Sequence, residues 1–320
     1  MTGKERVYKA IKFDKPDRFP VWLFNQDQKQ GDILWYDLRI SHGAAGSGYH
    51  GSNFSEWGYV WSTLDDGTMG QPTEPVIKDC SQFESYKFPE TDPDARFKNL
   101  NTYLKASEGY YRLPMLIITG FTTYTFLRGF ENSMRDFVEE PEYSAALLDG
   151  IFSFEEKLVT LAAENKFDGF HFGDDWGTQN ATIISPAMWR DIFKPRYKKL
   201  FDHAHRSGLH VWFHSCGCVD TIIDDLHEVG VDVLNIAQPN VVNLENVSKK
   251  LKGKQCFLLP ISYQTVSITG TPQEIIKEGK RLSDLFHCND GGFIGYIEEY
   301  SCMGMTQENF EACKAAFGLS

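Results

Sequence analysis

From residue 112 onward short apolar runs alternate with helical patterns, and this rhythm constrains the fold more than any other feature. The apolar runs are 113–120 (LPMLIITG), 167–175 (FDGFHFGDD), 209–218 (LHVWFHSCGC), 231–237 (VDVLNIA), 256–260 (CFLLP) and 292–298 (GFIGYIE). Helical spacing fills 142–166, 186–207, 219–229, 244–251, 271–286 and 306–317. An earlier helix over 2–13 and a buried strand over 18–25 (RFPVWLFN) precede them. Thr2, Ser185 and Thr306 are placed to cap helices, Gly208 to stop one, and Pro195 to kink a helix or start a new one. Strands that alternate with helices, without repeat or linker, predict a (β/α)8 TIM barrel in one domain over 1–320. No Gly-rich fingerprint follows any strand, which leaves a doubly wound dinucleotide fold unsupported.

Residues 26–97 break the rhythm. They are rich in Gly, aromatic and polar residues, and in SEWGYVWSTLDDGTMGQ the residues Trp57, Tyr59 and Trp61 alternate with Glu56, Gly58 and Val60 as in a hairpin strand. The barrel is therefore expected to be distorted, with a long irregular insertion after the first strand that covers its mouth. The formal charge of −12 argues against nucleic acid and anionic membranes as partners. No apolar run approaches the roughly 18 residues of a membrane span, and the polar, basic N-terminus does not read as a secretory signal. Seven scattered cysteines predict free thiols rather than a disulfide framework, and a cytoplasmic location.

The chemistry gathers at strand ends, where such barrels place their active groups. In 209–218 the alternation points His214 and Cys216 the same way, a nitrogen and sulfur pair suited to zinc. On its own H-x-C equally describes a satisfied imidazole and a buried thiol. A catalytic zinc needs a third protein ligand, and Asp174, Asp175, Glu298, Glu299 and Cys302 stand at other strand ends. Asp174 and Asp175 are adjacent, so at most one faces the barrel axis; the choice is between turn capping and a catalytic or ligand-anchoring role. Arg128 either binds an anionic group or pairs with Glu131. Trp22, Phe24, Trp57, Trp61, Phe121, Tyr124, Trp176 and Phe213 are mostly core, and a subset at the rim makes a dry pocket for a flat or methylated ligand.

As an ordered set, TGKERVYKAIKFDKPDRFPVW, WGYVWSTLDDGTMGQ, LRGFEN, GDDWGTQ, ISPAMWRDIFKPRYKKLFDHAHRSGLHVWFHSCG and TQENFEACKAAF resemble the uroporphyrinogen decarboxylase superfamily, which includes cobamide-dependent methyltransferases. The resemblance implies a distorted barrel with its cleft at the carboxyl ends of the strands, and often a homodimer. In the true decarboxylase the first strand leads into R-Q-A-G-R, whose arginines hold substrate carboxylates; here that stretch is Asn25-Gln-Asp-Gln-Lys29. The methyltransferase branch carries zinc on H-x-C plus a later Cys. His214 and Cys216 match the first two, and either Glu299 or Cys302 completes the set. The resemblance thus implies a zinc-dependent methyltransferase that moves a methyl group between a small substrate and a corrinoid on a partner protein. Asp174 or Asp175 would manage the chemistry, with Asn25, Lys29, Arg128, Trp176 and Gln179 near the substrate. A metal-independent carbon–carbon lyase and a non-catalytic small-ligand-binding barrel are the alternatives.

Overall fold

The computed structural model describes residues 1–24, 27–40, 53–62, 70–287 and 290–319. Eight parallel strands form the barrel: β1 (Val21–Phe24), β2 (Ile33–Asp37), β3 (Tyr111–Leu116), β4 (Gly169–Gly173), β5 (His210–Ser215), β6 (Val233–Ile236), β7 (Cys256–Pro260) and β8 (Phe293–Glu298). The order of pairing is β1-β8-β7-β6-β5-β4-β3-β2, so the ladder stops between β1 and β2. This seam is tied at its base, where Asp32 N–H donates to Val21 O (2.8 Å) and Val21 N–H to the Asp32 carboxylate (2.8 Å). Higher up, Trp35 N–H turns to the Gln28 side chain (3.1 Å), and the rings of Phe24 and Trp35 stack across the gap at 5.2 Å.

Strand β2 is the barrel strand that the sequence reading passes over. Its ILWYD lies inside the stretch taken as irregular, because five residues are too few to show a period beside so many aromatics. The irregular insertion is present and leaves the barrel one strand later than expected. Its described part forms an antiparallel ribbon of Asn53–Phe54, Val60–Ser62 and Gln71–Pro72, with Trp57 in the turn rather than in a strand. The ribbon packs sideways on the helix layer: Trp57 meets Phe154 at 5.0 Å and Tyr59 meets Phe126 at 5.5 Å. Glu56 is held there by a buried ion pair with Arg96. The rest of the expected cover, 41–52 and 63–69, lies outside the described residues.

Alternation along each strand sorts the core into two. Val21, Leu23, Val211, Phe213, Leu234, Phe257 and Ile297 face outward onto the helices; Trp22, Phe24, Leu113, Met115, Trp212, Val233, Leu258 and Ile294 fill the barrel. Helix α1 (Gly3–Lys12), capped by the expected Thr2 in a capping box with Glu5, plugs the amino-terminal mouth with Val7 and Ile11. Buried Arg6 pins it to Asp17 and Asp32. Ser185 caps α5 (Pro186–Ile192) as expected; Pro195 opens a new helix, α6 (Lys194–Arg206), and Gly208, at φ +80°, ends it. No helix among the described residues is long and apolar enough to cross a membrane.

The aromatic stretch 121–132 (FTTYTFLRGFEN), which shows no clear helical period and reads from sequence as a loop after β3, is helical: α2 (Gly120–Arg128) and α3 (Phe130–Glu139), then α4 (Pro141–Glu164). Thr119 gives α2 no side-chain cap. Its amino-terminal N–H groups are met instead from other elements, Gly120 by Glu155 (2.8 Å), and Phe121 and Thr122 by Asp174 (2.8 Å each). Burial pushes the Glu155 carboxyl up to about 8, helped by the nearby Asp174 charge. Glu155 therefore stays protonated in the fold while the unfolded chain releases that proton near the ordinary carboxyl range. The contribution is complete in acid and is lost as the pH rises through about 8. Melting temperatures at pH 6 and pH 8.5 should show Glu155→Gln gaining on the parent protein as pH rises; parallel pH dependences would refute the assignment.

Candidate metal and substrate site

The site is assembled where the loop after β4 closes on the loop after β5. Gly177 N–H donates to Cys216 O (3.0 Å), Cys218 N–H to Thr178 O (2.7 Å) and Trp176 N–H to the Ser215 hydroxyl (3.0 Å). The two backbones approach so closely that side chains are excluded. A Cβ on Gly177 would lie 2.4 Å from Gly217 C and Cys218 N, and one on Gly217 would lie 2.1 Å from Gly177 O. Gly217 also sits at φ +78°, which disfavours any other residue.

This docking sets the two neighbouring aspartates to different tasks. Asp174 points outward, is fully buried, and accepts from Phe121 N–H, Thr122 N–H, the Thr122 hydroxyl (2.7 Å) and the Tyr197 hydroxyl. Burial pushes its carboxyl up to about 7 against those donors. Asp174 holds α2 in place and does not reach the cleft, which corrects its expected catalytic role. Asp175 points inward and accepts from Cys216 N–H (2.8 Å), so the carboxylate and the thiol are held by one contact.

His214 and Cys216 follow on the inward face of β5, as alternation requires. His214 Nε2 lies 3.5 Å from Cys216 Sγ and 3.6 Å from the Asp175 carboxylate. The other ring nitrogen, Nδ1, is 2.6 Å from Asn235 Oδ1. Asn235 donates its own amide to Leu258 O (2.8 Å), which leaves Oδ1 as the acceptor and places the imidazole proton on Nδ1. The lone pair of Nε2 then faces Cys216 and Asp175. Burial pushes the Cys216 thiol well up, and the Asp175 charge adds to this. Ligand atoms of Asp175, His214 and Cys216 all lie within 4.8 Å of one another, the one group of this kind among the described residues. One nitrogen, one sulfur and one oxygen, with the histidine oriented from behind, fit a zinc ion.

Asp175 is one of the five candidates for the third position; the two that the resemblance favours, Glu299 and Cys302, do not join this group. Glu299 turns back to accept from Ser301 N–H (2.6 Å), and Cys302 is exposed on the single turn Ser301–Met303. Along β8 the inward positions are Ile294, Tyr296 and Glu298, so Glu298 enters the cleft. It accepts from the hydroxyls of Tyr296 (2.7 Å) and Tyr300 (2.9 Å), while burial pushes its carboxyl up. The Tyr300 and Tyr263 rings lie 4.7 Å apart, tilted by 32°, and Tyr263 is a neighbour of Cys216. Asn235, Tyr263 and Tyr300 were not singled out from sequence; for Glu298 the strand period was the available signal.

The substrate residues divide. Gln179 stands on the rim, donating to Gln238 (3.1 Å), which in turn accepts from Gly217 N–H (3.0 Å) and donates to the Tyr263 hydroxyl (3.0 Å). Trp176 is buried, stacked on Phe121 at 4.4 Å with its indole N–H on Tyr197 (3.1 Å), and is core. Arg128 is buried at the end of α2, in a bidentate pair with Asp136 (2.7 and 2.8 Å) rather than with Glu131, and donates to Ile77 O (2.7 Å). It has no route to an anionic substrate. Lys29 is exposed beside Tyr110, which precedes the amino-terminal end of β3, so it stands away from the mouth. Asn25 lies outside the described residues.

The uroporphyrinogen decarboxylase family profile matches residues 65–317. No curated protein sequence matches the chain. Among solved structures, a methyltransferase from Methanosarcina mazei superposes with a TM-score of 0.77 at 13% identity, over 99% of this chain and 98% of that one. A β-glucosidase from Pyrococcus furiosus aligns with a TM-score of 0.47 at 8% identity, over 90% of this chain and 82% of that one. Because the glycine contact holds Asp175 against Cys216, Gly177→Ala should cost roughly 1–3 kcal/mol in urea unfolding. An unfolding midpoint equal to the parent's would remove the contact from the argument.

Proposed function

The chain belongs to the uroporphyrinogen decarboxylase family, and from that premise we propose that it is a zinc-dependent methyltransferase moving a methyl group between a small substrate and a corrinoid protein. The observation that carries the reading is the convergence of Asp175, His214 and Cys216 at the carboxyl ends of β4 and β5. When bound there, zinc supplies Lewis acidity that holds a thiol as thiolate or polarises an ether oxygen. Asp175 and Cys216 bring negative charge to it, and Asn235 keeps His214 Nε2 presented. The full-length superposition on a methyltransferase supports this direction within the family.

Decarboxylation of a polyanionic substrate is disfavoured by the same geometry. Among the described residues, no Lys or Arg occupies an inward-facing position on any of the eight strands, and Lys29 and Arg128 lie elsewhere. A substrate carrying several carboxylates needs fixed cations.

Metal content by plasma mass spectrometry on tag-free protein tests the site. The expected result is about one zinc per chain, lost in His214→Ala and Cys216→Ala, reduced in Asp175→Ala, and retained in Glu299→Ala and Cys302→Ala. No stoichiometric metal after zinc supplementation overturns the proposal. Asn235→Leu should weaken zinc binding by roughly 10- to 100-fold in a chelator competition, since it frees the imidazole to rotate. An unchanged affinity would show that Asn235 does not orient the ligand.

A further inference from the structure

The side of the cleft opposite β4 is built from aromatic faces around one carboxylate. Phe24 and Trp35 stack across the seam, Tyr296 lies 6.0 Å from Phe24, and the Tyr263 and Tyr300 rings meet at 4.7 Å in a tilted pair. Pairing of β1 with β8 sets Phe24 level with Glu298. Deeper in the barrel Tyr111, Leu113, Val233 and Leu258 are fully buried, whereas Trp35, Tyr296, Glu298 and His214 on the same inward face are partly exposed, so the wall opens to solvent at its top.

Three features of this wall select one kind of ligand. Aromatic faces attract cations, most strongly where water is excluded. The Tyr296 and Tyr300 hydroxyls donate to a carboxylate, which pushes electron density back into their rings and strengthens that attraction. Among the described residues the inward strand positions bring Glu298 and no Lys or Arg, the other acidic one, Asp37 at the end of β2, being paired with Arg39 (2.9 and 2.7 Å), and the chain as a whole carries −12. Independently, the buried indole N–H groups of Trp22 and Trp35 find no acceptor in the protein, and both stand on inward-facing positions of the strands beside the seam. Buried donors of this kind are met by an oxygen of a ligand or by water.

We propose that this wall binds a methylated onium compound, a quaternary ammonium or a sulfonium ion, with Glu298 and the rings of Phe24, Trp35, Tyr263, Tyr296 and Tyr300 around the cationic head. The assignment names the methyl donor of the reaction proposed above and rests on that reading; the onium centre already carries the positive charge that zinc would give an ether oxygen, so for this donor the zinc's Lewis acidity would act on an oxygen or sulfur elsewhere in the same compound. On transfer the C–N or C–S bond breaks with its electron pair remaining on nitrogen or sulfur. The methyl carbon takes the electron pair of the nucleophilic acceptor, the reduced corrinoid. A neutral amine or thioether departs, and no proton is needed.

Isothermal titration of the full chain with tetramethylammonium, choline and the uncharged isostere 3,3-dimethylbutan-1-ol tests this without any turnover. Saturable binding of both cations is expected, with the uncharged isostere at least about tenfold weaker. Glu298→Gln should weaken the cations by roughly tenfold and leave the isostere unchanged, and Tyr263→Leu, away from the strands, should weaken the cations as well. Equal binding of the isostere, no saturable cation binding, or cation binding indifferent to both substitutions in folded protein overturns the proposal. Zinc measured on the same samples separates the two readings. Zinc without cation binding refutes the onium assignment and leaves methyl transfer standing; cation binding without zinc refutes the zinc-dependent reading and with it the onium compound's role as methyl donor, leaving the aromatic wall as a cation-binding site.

Discussion

Two backbones that touch with nothing between them hold this site together. Gly177 and Gly217 meet at distances no side chain allows, and every feature of the candidate centre is fixed relative to that contact. It sets the loop after β4 against the loop after β5, turns Asp175 onto the Cys216 amide, and leaves His214 beside both. Catalytic and metal-binding groups work when their supports are rigid. Here main-chain hydrogen bonds flanking the two glycines supply that rigidity together with the packing of Trp176 and the Asn235 contact to His214.

The pair Asp174 and Asp175 shows how the strand period turns one dipeptide into two functions. The outward residue replaces the missing cap of α2, together with Glu155, and the inward residue faces the cleft. Placing two carboxyls in the interior is costly because charge is poorly solvated there. Helix α2 recovers part of that cost, since its amino-terminal N–H groups would otherwise lack partners. The position of α2, and with it the inner edge of the mouth, therefore depends on residues far away in sequence.

That dependence explains what could be read from the chain and what could not. The barrel, the capping roles of Thr2, Ser185 and Thr306, and the common orientation of His214 and Cys216 follow from local period and local chemistry, so they were legible. Strand β2 was too short to announce itself, and α2 was taken for a loop because its caps come from β4 and α4. The sequence left Asp175 among five carboxylates and thiols at strand ends and the resemblance then narrowed the choice to Glu299 or Cys302, whereas the group that lies beside His214 and Cys216 in the fold is Asp175, after β4. The resemblance likewise pointed to Glu299, although strand alternation directs Glu298 inward. Arg128 looked available from sequence because its partner Asp136 sits two turns along the next helix. Long-range partners of buried charges leave no trace in a single sequence.

The open ladder between β1 and β2 has a consequence of its own. Around the rest of the barrel, spacing is dictated by hydrogen bonds between neighbouring backbones, about 4.8 Å from strand to strand whatever the side chains are. Across the seam the separation is set by the bulk of Phe24 and Trp35 above a fixed anchor at Asp32. One side of the cleft thus has a width written in side chains, and exchanging a ring there resizes the chamber while the other seven joints keep their register. A barrel built this way can take ligands of different girth by changing this one wall.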